Sequence, residues 1–489
     1  MKKLLLLFTF LSIASGIFSQ VSKSLNLDTA GTLSASMSLN ELSTITNLTL
    51  TGTVDARDFK TMREEMPLLA VLDLSGVTIV AYSGTEGSSW NTNYAANAVP
   101  ENAFLNPDTS QGKKSLISVI LPSSITSIGK VAFRRCSGLT SVTIPTSVIS
   151  IGISAFEGCS GLTSLTIPSS VTTIDNSAFY YCSGLTSVDI PSSVISIGVG
   201  AFGYCSKLPT VNIPSSVTSI QKATFQGCSA LTTIAIPSSV TSIGDFAFGS
   251  CSGLTTVLIP SLVTSIGNSA FHGCSGMTSI TIPNSVISIG KGAFQSCSAL
   301  TTVTIPSSVT SIGDFAFRGC SGMTSVTIPS SVTSIREGAF EHCSALTSIT
   351  VTNRTPVNLG MSYNVFNNVD KFTCTLNVPL GSKSAYQTAP EWKDFYNIIE
   401  KNLTGIDPMI SDQKLTLYPN PTTGKMKIVF DQIPQKGTTL TVNDFTGKTI
   451  LTQLIQNKEE AIDLGGNLPG VYLIQTNMED FKVQKVILK

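Results

Sequence analysis

"AFEGCSGLTSLTIPSSVTTI" (residues 155–174) holds one cysteine with no second cysteine near it, and the phrase returns as "AFYYCSGLTSVDIPSSVISI" at 178–197. Cysteines stand at 136, 159, 182, 205, 228, 251, 274, 297, 320 and 343, every step twenty-three residues. Phenylalanines keep that step from Phe133 to Phe340, and prolines from Pro122 to Pro329. A fixed period in the twenties marks a solenoid, in which each repeat is one supersecondary unit. Within a unit the apolar positions are Leu162, Leu165, Ile167, Val171, Ile174 and Phe179. The stretch 162–167 predicts a short strand, which Pro168 ends because proline has no N–H for a sheet ladder. Residues 171–174 predict a second extended piece, and "NSAFYYC" (176–182) predicts a tight helical turn. One unit alone buries too little to offset the entropy of ordering its backbone. Coils must therefore stack, at about 4.8 Å each.

Three roles compete for a thiol that recurs once per coil. Zinc calls for paired ligands such as Cys-x-x-Cys, and the sequence has none. Disulfides suit an exported protein, and adjacent coils have suitable Cα spacing. In-register side chains point the same way, however, and eleven cysteines cannot all pair. A small buried hydrophobe fits the narrow interior of a coil. The favoured reading is that the thiols are core.

Composition narrows the class of partner. The chain has 489 residues, 30 basic against 30 acidic, so its formal net charge is zero. Nothing there suggests nucleic acid or an anionic membrane. Charged residues are only 12% of the chain, about half the usual share. Lys2 and Lys3, the apolar run from Leu4 to Ile17 and small residues up to Gln20 predict a cleaved secretory signal over 1–20. The run is too short for a membrane span, and no transmembrane segment is expected elsewhere.

The repeated "CSGLTSVTIPSSVTSIG..AF" unit, clear from Leu116 to about Ile349, resembles the BspA-like leucine-rich repeats of bacterial surface proteins. That resemblance implies a mainly β solenoid of 23-residue coils and a surface role tied to adhesion. Residues 21–115 hold looser repeats such as "LLAVLDLSGVTI" and read as an N-terminal cap; 116–352 form the regular solenoid, and 353–404 its C-terminal cap. Trp392 and Phe395 are expected in the core of that second cap. A linker spans 405–414.

Residues 415–489 alternate apolar positions between Gly and Pro turns, predicting about seven strands and a small β-sandwich. Tyr418, Pro419, Asn420, Pro421, Gly424, Gly447, Gly470 and Tyr472 resemble the motif of a type A sorting domain of the type IX secretion system. The resemblance implies a Bacteroidetes-type organism, handling by the type IX machinery, and passage across the outer membrane to the cell surface. It also implies removal of this domain with attachment to surface lipopolysaccharide.

No catalytic constellation is visible. His272 and His342 sit in variable slots between Phe and Cys, without a recurring Ser or Asp partner, and read as solvated. Asp245 and Asp314 stand alone at coil corners, so no metal or other cofactor is expected. The first strand should point one side chain per coil outward. In order these are Thr143, Thr166, Asp189, Asn212, Ala235, Leu258, Thr281, Thr304, Thr327 and Thr350. Threonine yields at the middle four, Asp189 to Leu258, and the first two lie close in sequence to Tyr180, Tyr181 and Tyr204; the candidates are Asp189, Asn212 and these tyrosines. These five residues are the candidate contact patch, for a host matrix protein, another bacterium or a surface glycan. Neutral drift among duplicated repeats accounts for the same pattern, and a structural stalk with no specific ligand is the alternative function.

Overall fold

The computed structural model describes residues 20–360, 362–403, 416–430, 437–444, 448–476 and 484–489. Residues 1–19 of the expected signal, the expected linker 405–414, and Gly447 of the expected sorting motif lie outside them.

Each regular coil has three sides. A three-residue strand such as Ser164–Thr166 forms the first, and a two-residue strand such as Thr173–Ile174 the second. Both pair in parallel with their equivalents one repeat away, as in Ser279↔Thr302 and Ile289↔Ile312. Alternation turns Leu165 inward and Thr166 outward, as period-two geometry requires.

The third side is the tight turn expected from "NSAFYYC", built of successive single turns and not of continuous helix. Ser177 and Tyr181 take left-handed φ values of 56° and 58°, and the same two slots are left-handed in every coil from Val131 to His342. Single turns close locally, with the Tyr180 N–H donating to the Ser177 carbonyl and Cys182 to Phe179. The two left-handed residues stop helix propagation. They also free alternate N–H groups to point along the axis. Ser177, Phe179 and Tyr181 donate to the carbonyls of Val199, Ala201 and Gly203 in the next coil, at 2.8 Å each. Left-handed backbone costs a non-glycine residue about 1–3 kcal/mol; here it is coupled to a third ladder of hydrogen bonds between coils.

The low charge of the chain has a structural reason. The second serine of "PSSV" donates to a carbonyl of the preceding coil, as in Ser170 to Val148 and Ser193 to Val171. Threonine hydroxyls do likewise, as in Thr186 to Thr163 and Thr255 to Thr232. Neutral hydroxyls cross-link coils without the desolvation cost of burying charge.

Inside, phenyl rings from Phe104 to Phe366 stack with centroids 5.1–5.9 Å apart. Phe59 meets one end of the stack edge-on. Trp392 and Phe395 close the other against Phe366, and both are buried. All eleven cysteines are free and buried. From Cys159 to Cys343 each Sγ–H donates to a phenylalanine carbonyl of the preceding coil at 3.0–3.4 Å.

One coil interrupts both sheets. The second-strand sheet ends at Ser196–Ile197 and resumes at Ser219–Ile220; the first-strand sheet has no ladder between Ser187–Asp189 and Thr233–Ala235. Pro209 stands where Thr186 and Thr255 donate their N–H to the preceding coil. Proline has no proton to give. Only the turn ladder crosses unbroken, through Gly200 to Lys222, Phe202 to Thr224 and Tyr204 to Gln226.

The N-terminal cap is a strand–helix–strand–helix–strand run: Ser22–Leu27, Leu39–Thr44, Asn47–Val54, Ala56–Glu64 and Val71–Ile79. Its strands pair in parallel, and the third hands the sheet to the first regular coil. Residues 416–489 contribute seven described strands in two antiparallel sheets, of three and four strands, around a core of their own.

Candidate functional site

The three tyrosines form one cluster on the turn side. Tyr181 and Tyr204 occupy the same slot in consecutive coils, so their rings stack at 4.6 Å and 13°. Tyr180 stands nearly perpendicular to both, 4.7 Å from Tyr181 and 5.5 Å from Tyr204. Those three distances make a near-equilateral triangle, which puts Tyr180 beside the stack and not on top of it. Glycines seat the rings. A Cβ on Gly203 would lie 2.6 Å from the Tyr180 ring, and one on Gly227 would lie 2.5 Å from that of Tyr204. Tyr181 is 48% exposed, whereas Tyr180 and Tyr204 are half-buried. Burial, the neighbouring tyrosines and Glu157 raise the Tyr180 phenol above its ordinary range. Edge-to-face and offset contacts of this kind fix ring orientation.

Gly203→Ala tests that seating. Gly203 has no left-handed φ, so the backbone accepts alanine while the methyl displaces the Tyr180 ring. The expected outcome is a weakened near-ultraviolet circular dichroism of the coupled tyrosines, with melting little changed because the ring can swing into solvent.

Asp189 and Asn212 do not join this cluster. They lie exposed on the first-strand side. Asn212 lines a groove of about 380 Å³ with Ile190, Pro214, Ala235 and Pro237, opened where the sheets are interrupted. The five candidates thus fall on two sides of the solenoid, the tyrosines on the turn side and Asp189 and Asn212 on the first-strand side. The rest of the outward column is placed as alternation predicts, with Leu258 the most prominent at 73% exposure.

The other singled-out polar residues have structural partners. Asp245 accepts the backbone N–H of Asn268, and Asp314 faces Lys291 at 4.0 Å. His342 is exposed, with Asn368 at 3.1 Å from Nδ1. His272 differs from the solvated reading: it is half-buried and its Nδ1 has no hydrogen-bond partner. Among the described residues no three His, Cys, Asp or Glu side chains converge as a metal site.

Two features went unread in the sequence. Phe315 lies over Gly338, with Arg318 5.4 Å and Lys291 5.7 Å from its ring; an aromatic in a slot that holds mostly small residues, and Phe246 besides, was the available signal. Trp90 is 80% exposed in the cap hairpin, beside Ser89, whose backbone is held by the Tyr94 hydroxyl.

In residues 416–489 the motif residues join the chain's last strand. The Asn420 side chain accepts from the Ile487 N–H, Thr422 donates its N–H to the Ile487 carbonyl, and the Lys489 N–H returns to Thr422. Tyr418 and Pro419 line a groove with Met426 and Ile462; Pro421 follows in the same loop. Gly424 has φ 134°, and a Cβ there would press on the Gly465 backbone at 3.1 Å. The buried Tyr472 donates its hydroxyl proton to Leu468. Nothing in the structure explains a glycine at Gly470.

The family of BspA-type leucine-rich repeats matches in six copies, over 104–231, 172–298, 219–347 and 264–389, together more than half of the chain. A secretion system C-terminal sorting domain matches 416–489. Among solved structures, the chain is similar to a leucine-rich repeat protein from Bacteroides ovatus, at 24% identity over 59% of this chain and 89% of that one, TM-score 0.39. It is also similar to a leucine-rich cell surface protein from Faecalibacterium prausnitzii, at 30% identity over 53% and 84%, TM-score 0.35. The pneumococcal vaccine antigen PcpA matches at 19% identity over 63% and 86%, TM-score 0.41. No curated protein matches the chain. No helix among the described residues is long and apolar enough to cross a membrane. With its repeats and its sorting tail both accounted for, the chain belongs to the BspA-type leucine-rich repeat proteins and is exported across the outer membrane to the cell surface.

Proposed function

We propose that this protein is an adhesin without catalytic activity, which grips a host matrix protein, another bacterium or a surface glycan through Tyr180, Tyr181 and Tyr204. The observation that carries the reading is the tyrosine cluster, with Tyr181 exposed, on a solenoid surface rich in Ser and Thr. Binding hot spots favour aromatics, and these rings are already held in place, so little side-chain entropy remains to be lost on contact. Weak affinity per molecule is multiplied when many copies are displayed on one cell. Sparse and balanced charge makes that adhesion only mildly salt-dependent.

A cell-adhesion assay tests this with Tyr181→Ser plus Tyr204→Ser, against Thr304→Ser plus Thr327→Ser on the strand side. The tyrosine pair is expected to bring adhesion down to the level of a deletion strain and the threonine pair to leave it intact. Equal adhesion by both double mutants would sink the tyrosine surface. No adhesion above the deletion strain on any surface would favour the structural stalk.

A further inference from the structure

Resting on the adhesive reading, we infer that the free face of Tyr181 and the Gly158 slot of the coil before it, which carries no side chain, form a subsite for one pyranose ring of a glycan. The turn-side column runs Arg135, Gly158, Tyr181, Tyr204, Gly227. Tyr204 covers one face of Tyr181, and Tyr180 stands beside the pair. The second face of Tyr181 therefore turns towards the preceding coil, where Gly158 offers no side chain. One layer of a ring stack is missing there. Its height is one coil, about 4.8 Å, close to the 4.6 Å separating Tyr181 from Tyr204. The ligand that fits is itself one six-membered ring thick.

The walls choose its chemistry. Tyr181 offers an aromatic face, whose negative quadrupole attracts the weakly positive C–H face of a sugar. On the far side the Arg135 stem lies 3.4 Å from where a Gly158 Cβ would be, with Nη1 held by the Ser110 carbonyl at 2.9 Å. Glu157, next to the floor, is held by Arg134 at 2.8 Å. Fixed donors and acceptors around one aromatic face suit hydroxyls placed equatorially round a ring. A protein side chain would seek an apolar rim that excludes water, and this rim is Arg, Glu and Gly.

The backbone supplies a clean test. The Gly158 slot is left-handed, with φ 73°, yet Tyr181 and Tyr204 hold it at 58° and 59° in the next two coils. Gly158→Tyr should therefore fold and fill the missing layer. The full-length chain is titrated by saturation-transfer NMR with methyl glycosides of glucose, galactose, mannose, N-acetylglucosamine and glucuronic acid. At least one should bind, with transfer strongest to the protons of one ring face. Gly158→Tyr and Tyr181→Leu should each weaken it at least tenfold with an unchanged melting temperature, and Thr304→Ser should not. Arg135→Gln should weaken the glucuronide alone, separating acidic from neutral sugars. Binding unchanged by Gly158→Tyr and by Tyr181→Leu overturns the subsite, as does the absence of transfer to every glycoside. If adhesion still depends on Tyr181 in that last case, the adhesive surface stands and its ligand is a protein.

Discussion

Alkylation by iodoacetamide under native conditions is expected to leave the ten in-register thiols unmodified, and unfolding is expected to expose all eleven cysteines at once. The thiolate is the reactive form, and here it is doubly suppressed. Each side chain is fully buried, and each sulfur donates its proton to a phenylalanine carbonyl one coil back. Burial pushes the Cys182, Cys228 and Cys297 thiols up to about 12 from an ordinary 9.0. Because the folded value is the higher one, the unfolded chain loses its thiol protons first. Stability should be full below pH 9 and should fall as pH rises from 9 towards 12. Cys228→Ala removes a small hydrophobe and one hydrogen bond, and should cost about 1–2 kcal/mol. Cys228→Asp places a buried carboxylate against the Phe202 carbonyl, which has no proton to donate to it. That should cost several kcal/mol and melt the coils on both sides, visible as a second, low-temperature transition. Mass spectrometry finding Cys-to-Cys links between adjacent coils would overturn the assignment of these thiols to the core.

The core was legible because repetition does the work of an alignment. Ten copies of Phe-x-x-Cys at one spacing leave little choice but an interior column, and the alternation Leu165, Thr166, Ile167 fixes which way each faces. Trp392 and Phe395 were legible as cap core for a related reason: the last phenylalanine of a stack needs an apolar cover. The turn ladder was not legible. Its left-handed slots hold Val131, Ser154, Phe246, Phe315, Arg135, Tyr181 and His342, with no common residue type, because the neighbouring coil imposes the conformation and the side chain merely accepts it. Pro209 was visible as a departure from the consensus, but that it removes a bridge between coils while the turn ladder holds follows only from knowing which N–H groups bridge coils. Asp189 and Asn212 stand on the first-strand side and the tyrosines on the turn side, the two faces to which their slots in the repeat assign them. A 23-residue coil turns through three sides, so the seven residues between Tyr181 and Asp189 are enough to carry the chain round a corner.

Removing residues 416–489 is expected to trap a folded solenoid in the periplasm. The core of this C-terminal segment, built on Ile428, Phe430, Leu440, Val442 and Ile474, shares no residue with that of the solenoid, which runs from Leu27 to Ile398. Truncation therefore leaves the phenyl stack, its caps and every inter-coil ladder intact, and thermal melting of the retained protein should match that of the full chain. What the truncation removes is the loop from Tyr418 to Gly424, which Asn420 and Thr422 tie to the last strand. Two substitutions separate the shape of this loop from the mere presence of the segment. Asn420→Ala deletes the acceptor for the Ile487 N–H, and Gly424→Ala presses a methyl on the Gly465 backbone at a φ that alanine rarely adopts. Both should lower surface display without changing the melting of the solenoid, Gly424→Ala the more severely, because it combines steric and backbone strain. Cell fractionation and protease shaving of intact cells provide the readout. A truncated chain that reached the surface at normal levels would show that export reads some other feature, and the repeats themselves would then be the place to look.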